Sequence, residues 1–198
     1  MDIIQSLSLA GGLAWASGIR LYAVLFSAGL LGNLGYLALP ATLQPLENPW
    51  VIGIAGTLFA VEFLADKIPI VDSIWDGIQT FIRIPAGAVL AALAMGEHPP
   101  ELMLVAGLLG GSIAAGTHLA KAGGRALINT SPEPFSNVAA SLGEEAMVAG
   151  GLYAAIYHPV VFLIILGGFV ILLIWLLPKL IRGIHMLFGR LFRPSRST

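Results

Sequence analysis

Long apolar runs separated by short proline-rich and glycine-rich segments constrain this chain more than any other feature of its sequence. The hydrocarbon core of a bilayer is about 30 Å thick, and an α-helix needs about 20 apolar residues to cross it. Only 11% of the 198 residues are charged, whereas about a quarter are charged in soluble domains. The sequence therefore predicts an all-α, polytopic membrane helix bundle of about six transmembrane helices, with no soluble domain.

The segments between the runs set the predicted boundaries of these helices. The predicted spans cover residues 4–32, 50–67, 72–95, 101–126, 136–156 and 160–177. Proline is tolerated at the first position of a helix, where its missing N–H would be unpaired anyway, so Pro49 fits the start of the second span. Pro85 lies inside the third span, removes a backbone hydrogen bond and predicts a kink near Phe81. We expect residues 1–178 to form one transmembrane domain.

Composition excludes several classes of function. The chain has no cysteine, which excludes disulfides, thiolate metal sites and cysteine nucleophiles. Its formal net charge is −1, so nucleic acid is not an expected partner. Neither a Gly-x-Ser-x-Gly nucleophile nor a His-Glu-x-x-His metal pair occurs, so we expect no enzyme activity and no cofactor. The apolar run after Met1 and Asp2 lacks a basic start and a cleavage site, which predicts a retained helix instead of a signal peptide.

Basic residues predict the orientation of the chain in the membrane. The loops after the first, third and fifth spans contain no lysine or arginine, whereas Lys67, Lys121 and Arg125 lie near the ends of the second and fourth spans. The tail, residues 179–198, interleaves basic and apolar residues, a pattern typical of an interfacial helix on anionic lipid. The positive-inside rule then predicts a multi-pass inner-membrane protein with both termini in the cytoplasm.

A short internal similarity predicts a repeat of three plus three helices. Residues 16–21, Ala-Ser-Gly-Ile-Arg-Leu, are similar to residues 114–119, Ala-Ala-Gly-Thr-His-Leu. Halves of residues 1–98 and 99–178, each with an odd number of spans, would be inserted in opposite orientations. Many secondary transporters have this inverted arrangement, with a binding site at the interface between the repeats.

Charged and polar side chains within the predicted spans give the strongest indication of a site. An ionised side chain near the bilayer centre costs about 3 kcal/mol, so such residues face protein or water and need partners. At about 1.5 Å of rise per residue, the charges on four spans lie about 5 to 15 Å from the cytoplasmic boundary and can form one cluster. The predicted ion-binding or substrate-binding residues are Arg20, Glu62, Asp66, Asp72, Asp76, Gln79, Arg83, His118, Lys121, Arg125, Asn137, Ser141, Glu144 and Glu145.

Three functions remain open for such a cluster. The first is a small transporter or channel for a cation or proton, since carboxylate oxygens suit hard cations. The second is a lipid-handling protein whose arginine and lysine side chains bind the phosphate of a head group. The third is a non-catalytic bundle in which the basic and acidic side chains pair and hold the helices together. The candidate metal ligands are Glu62, Asp66, Asp76, Glu144 and Glu145.

The expected partners follow from these hypotheses. They are membrane lipids and, for the transporter, a small cation or proton, and a homo-oligomer is compatible with the sequence. His118 alone does not indicate zinc, because zinc would need further histidine or cysteine ligands.

Four segments carry a resemblance to a known family. They are Ser-Gly-Ile-Arg-Leu-Tyr at 17–22, Glu-Phe-Leu-Ala-Asp-Lys-Ile-Pro-Ile-Val-Asp at 62–72, His-Leu-Ala-Lys-Ala-Gly-Gly-Arg at 118–125 and Ser-Asn-Val-Ala-Ala-Ser-Leu-Gly-Glu-Glu at 136–145. Over about residues 10–175 the chain resembles an uncharacterised bacterial integral membrane protein family, domain-of-unknown-function family 4126. The resemblance implies a bacterial inner membrane and transfers no activity.

Residues 62–67 also look like a motif of another group of membrane proteins. They are similar to the Glu-x-Gly-Asp-Lys motif of small cation exchangers built from two three-helix repeats, with one extra residue and no glycine. This similarity implies cation exchange as an expectation for the chain.

Overall fold

The chain folds into helices joined by short turns. A computed structural model of the protein describes residues 1–128 and 135–191. Among these residues there is no strand, so the all-α prediction is confirmed. The α-helices are α1 Ile3–Asn33, α2 Pro49–Ala65, α3 Pro69–Ala94, α4 Pro100–Ile128, α5 Phe135–Tyr157 and α6 Pro159–Leu191, with a short 3₁₀ turn at Gln44–Glu47 before α2.

Proline and capping side chains explain where the helices begin. α2, α3, α4 and α6 each start with a proline, whose missing N–H would have no partner in the first turn. The Asn48 side chain accepts a hydrogen bond from the Trp50 amide and caps α2. α3 starts at Pro69, three residues before the predicted start at Asp72. The predicted helix starts therefore lie close to the observed ones.

Several of these helices suit a membrane. Four stretches in the described residues are long and apolar enough to cross one, namely Ile3–Asn33, Ile70–Ala94, Pro100–Arg125 and Pro159–Leu176. α2 is a shorter apolar helix of 17 residues, which at 1.5 Å per residue is about 25 Å long. The protein is therefore a helical membrane protein.

α1 is a hairpin of two helical arms, and this corrects the prediction of a single span over residues 4–32. Arg20 has non-helical torsions, φ −145° and ψ 76°, between the arms at 3–19 and 21–33. Leu9 and Leu31 line one cavity, although 22 residues of straight helix would separate them by about 33 Å. The chain therefore reverses at Arg20, and the two arms pack against each other.

Contacts with α3 show which way each arm runs. The amino group of Met1 lies 2.9 Å from a carboxylate oxygen of Glu97, in the turn between α3 and α4. Beyond the second arm, Thr42 donates a hydrogen bond to the Leu93 carbonyl near the end of α3. Both ends of the α1 hairpin thus lie at the α3–α4 end of the bundle, and the Arg20 tip points towards the α2–α3 turn.

The hairpin bears on two further predictions. The sequence predicts the N-terminus and the turn that contains Lys67 on one side of the membrane, whereas Met1 lies at the α3–α4 end of the bundle and Lys67 lies in the turn at the opposite end. An inverted repeat of residues 1–98 and 99–178 would require α1 and α4 to cross in opposite directions. Instead, Ser6 contacts His98 and Gly18 packs on Thr117, so the first arm of α1 runs parallel to α4.

Small residues let the α1 hairpin enter the bundle. A Cβ at Gly18 would overlap the Ala114 carbonyl oxygen and the Thr117 hydroxyl of α4. A Cβ at Gly87 of α3 would overlap Ala114 and the Ser17 hydroxyl. Such close backbone approach is the usual role of small residues between helices in lipid. The buried apolar core is formed by α1, the end of α3 and part of α5, and residues of α4 pack against it.

The chain forms two compact units whose boundary lies within α6. Residues Met1–Leu163 form one compact unit and Ile164–Thr198 a second. α6 continues as a helix through Pro178 to Leu191, so the predicted tail at 179–198 begins inside a helix. Its last seven residues and the predicted break at 129–134 lie outside the described part of the chain.

Candidate functional site: a buried charged cluster

Five helices bring charged side chains together near the tip of the α1 hairpin. Arg20 forms the tip, and Asp66 ends α2 at the same end of the bundle. The first half of α3, the second half of α4 and the first half of α5 supply the other charges. We call this set the charged cluster, and its ion-paired members are Arg20, Glu62, Asp66, Asp76, Arg83, Lys121, Arg125, Glu144 and Glu145.

Arg20 joins the hairpin tip to α2 and α5. Its guanidinium is fully buried and forms an ion pair with the Asp66 carboxylate. It also lies 3.0 Å from Glu144 Oε2 and 3.3 Å from Glu145 Oε1. One amino group donates to the Ser141 hydroxyl at 3.0 Å. A guanidinium offers five N–H donors in a plane, which allows one side chain to bind several carboxylates at once.

Arg83 forms a second centre between α2, α3 and α4. It pairs with Glu62, and its Nη1 donates to Asp76 Oδ1 at 2.9 Å. The same nitrogen lies 3.1 Å from Nδ1 of His118. Because arginine can only donate, this His118 nitrogen accepts, and its Nε2 carries the hydrogen. Nε2 lies 2.7 Å from the Thr80 hydroxyl, so His118 is a neutral link in this network.

Lys121 connects the two centres. Its ammonium lies 3.3 Å from Asp76 Oδ1, 3.6 Å from Asp66 Oδ2 and 3.5 Å from Glu144 Oε2. It also donates to the carbonyl oxygen of Ile19 at 3.3 Å. The break at Arg20 frees carbonyl groups of the preceding turn from their helical partners. The Lys121 ammonium thus satisfies a backbone group that the hairpin tip exposes.

Arg125 closes the cluster at the C-terminal side of α4. Its Nε donates to Glu144 Oε1 at 2.7 Å and its Nη2 to Glu144 Oε2 at 3.1 Å, a two-point contact that fixes the geometry. Nη2 also donates to Asp66 Oδ2 at 3.2 Å. Nη1 donates to the side-chain oxygen of Asn137 at 3.3 Å. Arg125 therefore ties α4 to the end of α2 and the start of α5.

The cluster has more acidic than basic side chains. Its ion pairs join four basic residues to five carboxylates. Four buried carboxylate oxygens of the cluster have no hydrogen bond, namely Glu62 Oε2, Asp66 Oδ1, Asp76 Oδ2 and Glu145 Oε1. A buried acceptor without a partner costs free energy. The cluster therefore keeps acceptor capacity for a proton or another donor.

The prediction of a metal site is not supported by this geometry. Among residues 1–128 and 135–191, no group of three or more His, Asp or Glu side chains could hold a metal ion. The candidates Glu62 and Asp76 bind Arg83, while Asp66, Glu144 and Glu145 bind Arg20. Guanidinium groups thus take the positions between the carboxylates that a metal ion would need.

The remaining predicted residues lie at the edges of the cluster. Gln79 donates to the Tyr22 hydroxyl at 3.1 Å, and Ser141 and Asn137 contact Arg20 and Arg125. Asp72 is buried on the first turn of α3. The structure thus places the fourteen predicted residues on the helix faces and ends that surround the hairpin tip. Their role as binding residues stays a prediction.

Sequence reasoning missed three features of the site. Tyr22 and Thr80 join the network through their hydroxyl groups, and hydroxyl side chains are too common on helices to indicate a site. The break at Arg20 was also missed, and the only sequence signal was a charge in an otherwise apolar run. Lys67, by contrast, stays outside the network, where its ammonium lies 3.0 Å from the centroid of the Phe63 ring. Partial burial lowers the pKa of Lys67, and the positive charge of Arg20 adds to this effect.

Comparison with known proteins gives one match. A model of the family described as a domain of unknown function, DUF4126, matches residues 7–179 of this chain. Comparison with curated proteins and with solved structures gave no match. The match covers the α1 hairpin, the whole charged cluster and most of α6.

Proposed function

This chain belongs to the DUF4126 family, and from its own residues we propose that it is a small membrane transporter or channel for a cation or proton. The observation that carries this proposal is a helix that breaks inside the bundle next to buried, ionised side chains. In lipid, non-helical backbone is tolerated only where it is buried in protein or lines a water-filled cavity. Interrupted helices with exposed carbonyl groups form the ion sites of many transporters.

The surplus of carboxylates supports a proton over a metal ion as the transported species. The cluster has five ion-paired acidic side chains and four basic ones, with four carboxylate oxygens free of hydrogen bonds. A free carboxylate oxygen can take up a proton without displacing an arginine. A metal ion would have to displace Arg20 or Arg83 first, since these side chains lie between the carboxylates. Acidic side chains inside a membrane commonly form proton relays, because a carboxylate can take up a proton and release it again.

Basic residues also support an orientation for the bundle. Lys67, Lys121 and Arg125 lie towards the α2–α3 end, which the positive-inside rule places in the cytoplasm of a multi-pass inner-membrane protein. The hairpin then leaves the N-terminus on the opposite side of the membrane. The charged cluster lies near the cytoplasmic boundary, because an arm of about 17 residues reaches about 25 Å from the other end.

One alternative has an observation in its favour. Every basic side chain of the cluster is paired with at least one carboxylate, as expected for a non-catalytic bundle held together by buried charges. The same pairing weakens the lipid-handling alternative, because a head-group phosphate would have to compete with carboxylates already bound to Arg20, Arg83 and Arg125.

Proton flux into proteoliposomes tests the transporter. With a pH-sensitive dye inside and an imposed ion gradient, we expect flux that Glu62→Gln and Glu144→Gln each reduce at least about tenfold. The control is Glu101→Gln, which removes an exposed acidic side chain at the start of α4 and should leave the flux unchanged. Equal flux through all four proteins, or none through any of them, would contradict the proposal.

A charge swap separates transport from a purely structural role. The variant Asp76→Arg with Arg83→Glu inverts one buried pair. If the charges only hold the bundle together, the swap recovers stability that each single substitution loses. If they carry protons, the swapped protein folds but its flux stays low, because the carboxylates have moved.

A further inference from the structure

Two cavities meet along the α1 hairpin and α5. The larger, about 500 Å³, lies between both arms of the hairpin and the second half of α5, with Leu9, Leu13 and Leu152 in its wall. The smaller, about 310 Å³, continues along α5 past Val148 and contains Glu145. The two cavities share Ser27, Leu31 and Ala149 in their walls. The two cavities therefore adjoin along α5, and we call them together the α1–α5 groove.

The ends of the α1–α5 groove differ in chemistry. Tyr36, Tyr153 and Tyr157 line the end nearer the α3–α4 turn, where amphipathic rings suit a membrane interface. Glu145 lies at the other end, beside the charged cluster. Glu145 and Tyr157 are twelve positions apart on α5, which corresponds to about 18 Å along the helix. Apolar side chains line most of the groove between these ends, so its occupant must be elongated and mainly apolar.

At the end of the α1–α5 groove that contains Glu145, a carboxylate and two aromatic rings line the same cavity. Glu145 is the member of the charged cluster that lines this cavity, and it pairs with Arg20 Nε at 3.3 Å, while Arg20 also pairs with Asp66 and Glu144. The Oε1 atom of Glu145 is buried and is the atom that pairs with Arg20, whereas the Glu145 side chain as a whole is 21% exposed. Phe26 and Phe59 line the same cavity as a stacked pair with ring centroids 6.2 Å apart. A carboxylate beside aromatic faces is the environment that binds ammonium groups.

We propose that the α1–α5 groove binds an elongated apolar molecule that ends in an ammonium group, held between Glu145 and the Phe26–Phe59 pair. A bare inorganic ion would lose its hydration along the apolar part of the groove at a high cost in free energy. An amphiphilic ammonium compound keeps its apolar part in the groove and brings only its charge to Glu145. This inference rests on the proposed function for the transport step, for which it names a substrate class, but the binding step is independent of it.

Equilibrium binding of decyltrimethylammonium to the full chain in nanodiscs tests the groove. Empty nanodiscs measure partition into lipid, and decanol is the uncharged probe of the same chain length. We expect saturable binding of decyltrimethylammonium that Glu145→Gln weakens at least about tenfold, with little change for decanol. Glu101→Gln is the matched control, since its carboxylate is exposed and lies outside the groove.

A second variant tests the groove without touching the charges. Ala149 is exposed at the point where the two cavities join, so Ala149→Phe should block the groove and leave the cluster intact. We expect Ala149→Phe to weaken the binding of both decanol and decyltrimethylammonium. If both probes bound equally well to the wild type and to Glu145→Gln, the groove would bind acyl chains only, and the proposal would be overturned. The absence of saturable binding would also overturn it.

The binding experiment and the flux experiment test different claims. Binding with the expected losses, but without proton flux in proteoliposomes, would contradict the proposed transport and leave the ammonium site standing. Proton flux without binding of the probe would contradict this inference alone.

Discussion

Arg20 determines more of this structure than any other single side chain. It has 0% exposure, forms the tip of the α1 hairpin and pairs with Asp66, Glu144 and Glu145. Three helices thus depend on one guanidinium group. An ammonium group has no planar set of donors and could not satisfy the three carboxylates in the same way.

Arg20→Met should destabilise the protein by about 3 to 5 kcal/mol, because it leaves buried carboxylates without a counter-charge. Unfolding in mixed micelles, followed by circular dichroism as the denaturing detergent increases, would measure the loss. Lys67→Met is the control, and it should change stability by about 1 kcal/mol or less, because the Lys67 ammonium pairs with no carboxylate in the described residues. Equal unfolding curves for the two variants would show that Arg20 does not hold the hairpin tip.

The identity of the site residues was predictable, but their partners were not. Charges are rare in apolar runs because each is costly in lipid, so Glu62, Arg83 and Glu144 were evident from the sequence. Which acid pairs with which base depends on how the helices are rotated, and a sequence pattern does not specify this. The candidate metal ligands illustrate this, since Glu62 pairs with Arg83 and Asp66 pairs with Arg20.

At the scale of elements, the straight helices were predictable and the hairpin was not. Proline at the first position of α2, α4 and α6 fixed their starts to within a residue or two. In α1 the break at Arg20 needs no proline or local breaker, because contacts with Asp66 and Glu144 stabilise its non-helical torsions. These partners lie 46 and 124 residues away in the chain, so a local sequence pattern cannot predict them.

Close packing of the hairpin against α4 makes a prediction at this scale. Gly18→Ala should destabilise the protein by about 1 to 3 kcal/mol, because the added methyl group would overlap the Ala114 carbonyl oxygen. Gly53→Ala in α2 is the matched control, since a Cβ there meets nothing within 4 Å, and it should stabilise by about 0.5 to 1 kcal/mol. The same detergent titration measures both. If both variants were stabilised, α1 and α4 would not be in contact at Gly18.

At the scale of the molecule, the hairpin changes the topology of the chain. A single span over residues 4–32 would place the N-terminus and Tyr36 on opposite sides of the membrane. The structure places both at the α3–α4 end, since Met1 pairs with Glu97 and Thr42 contacts Leu93. The charged cluster then lies at the tip of the α1 hairpin, and both ends of the hairpin lie at the α3–α4 end of the bundle.

Because the chain has no cysteine, single cysteines can report this topology directly. Asp2→Cys, Tyr36→Cys and Glu97→Cys, all at exposed positions, should react with a membrane-impermeant maleimide from the same side of sealed cells. Lys67→Cys, in the α2–α3 turn, should react only from the other side, in inverted vesicles. A membrane-permeant maleimide that labels all four proteins provides the control for reactivity. Labelling of Asp2→Cys and Tyr36→Cys from opposite sides would show that α1 crosses the membrane, and would remove the broken helix on which the proposed transport depends.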